Sequence, residues 1–209
     1  MEKVIVVGAG GHSRVVVSML ECLDQYEIVG VADKNTDCFD EQILSTTIRY
    51  SWDELSVLFE SGIRSAVIAI GDNNERKKIY LKLKNVGFLI PNIIHPSSFL
   101  EKKICLSDGN HICIGVKIAT SVNIGHNNII NTGSLLDHEV RVGNNVFIAP
   151  GCCIAGRVTI GDDTFIGIGV SIVENIKIGK NVVIGAGSVV LENIPDNVTF
   201  AGVPAKKIF

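Results

Sequence analysis

The chain has 209 residues, with 19 Lys and Arg against 22 Asp and Glu for a net charge of −3, and it is 46% hydrophobic but only 6% aromatic. No basic run exceeds Arg76-Lys77-Lys78, which removes the electrostatic basis for nucleic-acid binding, and no stretch approaches the ~18 continuous apolar residues of a membrane span. The apolar run at residues 4–7 is too short for a signal peptide, and Cys22, Cys38, Cys105, Cys113, Cys152 and Cys153 lack CxxC spacing, so free buried thiols in a reducing cytoplasm are expected.

Residues 1–92 alternate between strand and helix patterns. Residues 4–7 form a short apolar strand that ends in Gly8-Ala9-Gly10-Gly11-His12-Ser13. A helix over 14–23 follows, with Val15, Val16, Met19, Leu20 and Leu23 on one side. The pattern then predicts a strand over 27–32 closing on Asp33, a helix over 52–60, and a strand over 65–70 running into Gly71-Asp72-Asn73. A last helix opens at Asn74-Glu75 and stops at Gly87. This βαβαβ order predicts a small Rossmann-like parallel sheet whose ligand edge lies at the strand C-termini.

From Leu106 the period changes. Fifteen aliphatic residues stand six apart without a break, from Leu106 and Ile112 through to Ile184 and Val190. A hexapeptide repeat of this kind predicts a parallel β-helix over 93–209, with three repeats per triangular coil and residues 18 apart stacked. The register reaches back to Leu100 less securely, and the tail ending in Gly202-Val203-Pro204-Ala205-Lys206 is expected to cap the last coil.

The glycine turn at 8–11 follows a strand and opens a helix, so its backbone can approach an anion at a helix N-terminus. Ser13 occupies the third glycine of a dinucleotide fingerprint, and only one mononucleotide half is present, which argues against NAD(P). Asp33 stands about 20 residues after the turn, where a carboxylate meets ribose or base. A phosphate-bearing ligand, a nucleotide-sugar, is the preferred reading; the alternative is a turn serving chain reversal alone. Among five histidines, His138 is flanked by Asp137 and Glu139, either of which could orient its imidazole; the alternative is a solvated surface histidine. The 18-residue register stacks 138 under 156 and 174, and 150 under 168 and 186, on two different corners. His111, His126 and His138 are 15 and 12 apart, neither of them a coil repeat. A zinc carbonic anhydrase site is therefore disfavoured, and no metal is expected.

The chain resembles, end to end, the sugar O-acyltransferase family of left-handed β-helix acetyltransferases, which includes sialic acid O-acetyltransferases and bacillosamine or perosamine N-acetyltransferases. The residues that carry the resemblance are Gly8-Ala9-Gly10-Gly11-His12-Ser13, Ile70-Gly71-Asp72-Asn73, Asn131-Thr132-Gly133, Asp137-His138-Glu139, Ala149-Pro150-Gly151 and Gly202-Val203-Pro204-Ala205-Lys206. The resemblance implies the left hand of the helix, a nucleotide-sugar-binding domain over 1–92, and acetyl-CoA as co-substrate. It implies His138 as general base with Glu139 as its partner. Gly10, Gly11, His12, Asp33, Lys34 and Gly71 match positions that hold the nucleotide-sugar, while Gly156, Ile168 and Ala186 match positions that line acetyl-CoA. Phe147 departs from the family, which has a histidine there.

The function so implied is acetylation of the amino group of a nucleotide-linked 4-amino-4,6-dideoxy sugar for bacterial surface glycans, by direct attack. A sialic acid O-acetyltransferase is the alternative on the same fold. A trimeric nucleotide-sugar-binding protein without catalysis is the alternative of another class. A homotrimer is expected from the two corner columns and from the family.

Overall fold

A computed structural model describes residues 1–208. The chain divides into two compact units, Met1–Ile93 and Ile94–Phe209. No helix among the described residues is long and apolar enough to cross a membrane.

The first unit is an α/β sheet. Strand β1 (Glu2–Val7), helix α1 (Gly11–Glu21) and strand β2 (Tyr26–Asp33) open the chain. Strands β3 (Gln42–Ile43) and β4 (Thr46–Ser51), helix α2 (Leu55–Glu60), strand β5 (Ser65–Ile68) and helix α3 (Asn73–Val86) complete it. The sheet order is β3-β4-β2-β1-β5. Strands β4, β2, β1 and β5 run parallel, and β3 pairs antiparallel with β4. Val4, Ile5, Val6 and Val7 are wholly buried, as a strand covered on both faces requires.

Several local details differ from the sequence pattern: α1 spans Gly11–Glu21, so Leu23 lies outside it, and β5 ends at Ile68. The buried side of α1 is Val16, Val17, Met19 and Leu20, with Val15 only half-buried. The segment 52–60 is not one helix: Ser51 and Glu54 form a capping box around a 3-10 turn at Trp52–Glu54, after which α2 begins. Strands β3 and β4 lie in the 33–51 stretch that periodicity left unassigned. At the other end, α3 starts on the Asp72 carboxylate, which accepts from Glu75 N–H at 2.8 Å. It stops at Gly87 in the left-handed region.

The second unit is the β-helix. Two-residue strands stack in parallel with partners 18 residues apart, as in Lys117↔Leu135, Asn123↔Arg141 and Ile129↔Phe147. They build three walls whose inward residues are the hexad aliphatics, all buried except the half-buried Leu106. The hexad pairing begins earlier than the secure sequence register, since Phe99↔Lys117 and Leu100↔Ile118 already pair. Inside the corners, Asn128 donates from both its backbone N–H and Nδ2 to Asn110 Oδ1, and accepts from Val146 N–H. This satisfies buried polar groups from coil to coil.

Each corner turns through a left-handed residue. One corner uses glycine throughout, at 115, 133, 151, 169 and 187. A second uses Asn127, Asn145, Asp163 and Asn181, side chains that tolerate this conformation. The third uses Lys103, Ser121, Glu139, Arg157 and Asn175. Larger side chains on strained backbone at one corner alone mark that corner for attention.

The tail closes the prism. Thr199 pairs with Val183 at a separation of 16 rather than 18, and Lys206–Lys207 folds back antiparallel on Phe200 and Ala201. Phe200 and Ala205 cover the end of the aliphatic core. The reversed terminal strand, carrying two lysines, blunts the edge against further pairing.

All six cysteines are free, but only Cys113 and Cys152 are buried. Cys22, Cys105 and Cys153 are exposed, because outward strand positions and helix ends carry no core-facing constraint. The expectation of buried thiols is corrected to that extent.

Candidate active site

In the first unit β1 has β2 on one side and β5 on the other, so the chain connections diverge beyond the C-terminal ends of β1 and β5. Such a reversal opens a crevice for ligands. Backbone bonds tie the strand ends together there: Gly8 N–H donates to Ala32 O at 2.8 Å, and Ala69 N–H to Val7 O at 2.7 Å. Gly8 is required for this approach, with φ of 111° and a Cβ position only 2.7 Å from Ile70 Cγ1.

The crevice is a cleft of about 480 Å³. Gly10, Gly11, His12, Asp33, Lys34 and Gly71 all line it. Gly10 has φ −72° and ψ −169°, which any residue adopts, so its backbone does not demand glycine. A Cβ at Gly10, Gly11 or Gly71 would meet no protein atom within 4 Å. What these glycines provide is backbone without side chains on the wall of a cleft. Helix α1 has no side-chain cap and no acidic residue in its first turn, so its N-terminus is open to an anion.

The charged groups are arranged around that opening. Asp33 Oδ2 accepts from Ala9 N–H at 2.6 Å and Oδ1 from Asn35 N–H at 2.9 Å. Its carboxylate thus braces the glycine turn. Lys34 pairs with Glu75, and its ammonium lies 5.8 Å above the Trp52 ring. His12 is pushed down to about 4, first by burial and then by the Arg76 guanidinium. It is therefore neutral at pH 7 and offers a single N–H donor, not a cation. Arg76 is itself buried and donates to Gly71 O at 2.9 Å and Asn73 Oδ1 at 2.7 Å. It holds the loop after β5 in place. Trp52 and Glu75 also line the cleft and were not legible as cleft residues, because they come from elements far from the glycine turn in sequence.

In the second unit the candidate centre is the corner at 138–139. Asp137 Oδ1 accepts from His138 N–H at 2.7 Å and fixes the turn. The His138 ring, a little under half exposed, places Nδ1 3.1 Å from Glu139 Oε2. A carboxylate at Nδ1 favours the tautomer with its proton there and leaves the Nε2 lone pair available. Arg157, one coil above, donates from Nε to the same Oε2 at 2.9 Å. Glu139 is held below the ordinary carboxylate range by the His138 hydrogen bond first, then by Arg157.

Gly156 completes the corner. A Cβ there would lie 2.6 Å from both His138 Cε1 and Nε2, so the ring rests on the bare glycine. Ala155 N–H donates to Ile172 O and Arg157 N–H to His138 O, and no described residue accepts from Gly156 N–H between them. A free amide thus stands beside the imidazole.

The structure brings Gly156 to His138 but places Ile168 and Ala186 elsewhere. Both are exposed at the glycine corner, where Gly187 N–H donates to Ile168 O at 2.7 Å. Phe147 stacks on Phe165 at 5.2 Å and 22° on the adjoining wall, outside the His138 corner. Arg157 escaped the sequence reading although its distance from Glu139, 18 residues, is one coil. Among the described residues no group of three or more His, Cys, Asp and Glu could hold a metal ion.

Two family models match the chain: the PglD N-terminal domain over residues 3–83, and the bacterial transferase hexapeptide (six repeats) over 139–167 and 157–192. Among solved structures, PerB from Caulobacter crescentus, solved with CoA and GDP-perosamine, is 34% identical with a TM-score of 0.93, over 98% of this chain and 96% of that one. The acetyltransferase domain of PglB from Neisseria gonorrhoeae is 26% identical with a TM-score of 0.90, over 100% of each chain. WeeI from Acinetobacter baumannii, 23% identical with a TM-score of 0.84 over 98% of this chain and 99% of that one, shares the fold. With a PglD-type first unit, a hexapeptide β-helix and a full-length relative at this identity, the chain belongs to the left-handed β-helix sugar acyltransferases.

Proposed function

We propose that this protein transfers the acetyl group of acetyl-CoA to the amino group of a nucleotide-linked 4-amino-4,6-dideoxy sugar. The observation that carries the reading is the His138 imidazole, backed at Nδ1 by Glu139 and resting on Gly156. The cleft in the first unit supplies the acceptor's handle. Its glycine wall and open helix N-terminus suit a diphosphate, and Lys34 can add a positive charge. Structural relatives support the substrate class, since PerB was solved with GDP-perosamine and the PglB domain with acetyl coenzyme A.

The chemistry needs no covalent enzyme intermediate. The neutral amine attacks the thioester carbonyl, and the carbonyl π electrons move onto oxygen. His138 Nε2 takes the proton released by nitrogen, a role worth about 100- to 10,000-fold. Gly156 N–H stabilises the oxyanion. Collapse expels the CoA thiolate, which recovers a proton from the imidazolium. Cys152 is no competitor as a nucleophile: it is buried, its thiol is raised chiefly by that burial, and it donates to Gly167 O.

The assembly in this reading is a homotrimer. His138 and the Ile168/Ala186 pair occupy different corners of one prism, so a second copy is needed to bring an acetyl donor held at 168 and 186 to His138. Wall chemistry supports this. The outward residues of two walls include Leu135, Phe165 and Val183, while the third presents Cys105, Asn123, Arg141, Thr159 and Lys177. Light scattering of active protein is expected to give the trimer mass, and a stable, fully active monomer would refute the shared site.

Thiol release from acetyl-CoA tests the activity. It is expected with a UDP-, GDP- or dTDP-linked 4-amino sugar and not with sialic acid or its CMP conjugate. Turnover on sialic acid alone would replace this reading with O-acetylation, and binding without thiol release would leave a binding protein.

A further inference from the structure

The His138–Glu139 pair has a third member. Arg157 lies on the turn directly above His138, with its backbone N–H on His138 O and its Nε 2.9 Å from Glu139 Oε2. That oxygen is the same one that faces His138 Nδ1 at 3.1 Å. Its backbone has φ 61°, a conformation that costs any side-chain-bearing residue energy and that glycine adopts freely. The two counterpart corners fill this position with glycine or with Asn and Asp, residues that tolerate it. Lys103 is a second long cation with positive φ in the same column, so what singles out Arg157 is its contact with the carboxylate behind the imidazole.

We propose that Arg157 is a positioning residue for the acetyl transfer: it holds Glu139 behind His138 and limits how strongly that carboxylate stabilises the imidazolium. The inference rests on His138 acting as the base. The physical reason is competition for one oxygen. A carboxylate shared with a guanidinium presents less negative potential to the ring than an unshared one. Glu139 alone would orient His138 but would also stabilise its imidazolium more strongly than a shared carboxylate does. With Arg157 in place the carboxylate can orient the ring with less of that stabilisation.

The other groups facing the ring are few. Asp137 lies on its own turn, Thr120 sits one coil below, and Gly156 one coil above. Two coils away at the same corner stand Lys102 and Lys103 on one side and Glu174 on the other. Arg157 is the cation of this set whose contact with Glu139 is direct.

The test is Arg157→Gly, the one substitution that removes the side chain and relaxes the backbone together. Folding is therefore expected to survive, with a melting temperature close to wild type. Two readouts are followed: the NMR titration of the His138 ring, and the acid limb of the kcat/KM profile with the amino-sugar acceptor. Arg157→Gly is expected to raise the His138 titration midpoint by about 0.5–1 unit, the charge effect discounted for exposure. The acid limb should follow, giving a loss that approaches ~3- to 10-fold well below the midpoint while the alkaline plateau stays within ~2-fold. Arg157→Lys, which keeps the charge, is expected to restore part of the shift.

A His138 midpoint that does not move in Arg157→Gly overturns the proposal, whatever happens to the rate. A uniform loss at every pH with an unmoved midpoint would be a structural effect and overturns it as well. A moved midpoint with an unmoved rate limb upholds the hold of Arg157 on His138 and removes His138 from the role of base.

Discussion

Replacing His138 by Ala is expected to lower kcat by about 100- to 10,000-fold and to leave the fold intact. The imidazole is nearly half exposed and sits at a corner, outside the aliphatic core. Its loss creates no cavity, and surface changes of this kind stay within about 0.5 kcal/mol. The acceptor cleft is built from residues of the first unit and does not include His138. Nucleotide-sugar binding by calorimetry should thus match wild type while turnover collapses, the pattern of a group that acts in the transition state. Near-normal turnover would remove His138 from the chemistry. Lost binding would mean that it serves the substrate.

Gly156→Ala is expected to cost about 100-fold in turnover, because a positional error of ~1 Å in a catalytic group is worth that much. The added Cβ would stand 2.6 Å from His138 Cε1 and Nε2, far inside van der Waals contact. The ring is the movable partner, so it swings outward and opens the Nδ1 contact with Glu139. The backbone at 156 lies outside the left-handed range and accepts alanine. Stability should change little for that reason. The diagnostic readout is the His138 titration, which moves only if the ring has left Glu139. Full activity in this variant would mean that the reactive pose differs from the one described, and would also weaken the case for the Gly156 amide as oxyanion donor.

The two halves of the protein were unequally legible. The β-helix repeats one physical constraint every six residues, an inward aliphatic on each short strand, and reading that period gave walls, corners and stacking at once. His138 over Gly156 follows from it directly, since both share one column. Arg157 is implied by the same register, one coil from Glu139, but not by the residues that flank His138 in sequence. In the first unit the glycine turn, Asp33 and Gly71 could be read from their places at strand ends. Strand β4 could not: Thr46, Thr47 and Ser51 make it look like a loop, and it is a strand because Val31, Ala32 and Asp33 of β2 offer it a pairing edge. His12 shows a further limit. Its position on the cleft wall was legible, but its neutrality depends on burial and on Arg76, which only the fold brings near.

The acceptor decides the account. Incubating the protein with carbonyl-labelled acetyl-CoA and a nucleotide-linked 4-amino-4,6-dideoxy sugar, then locating the label in the product by NMR, is the most direct test. The expected result is label in an amide on the sugar nitrogen, with the nucleotide still attached. Label in an ester on a sugar hydroxyl, or none in the sugar while free thiol accumulates, would contradict it.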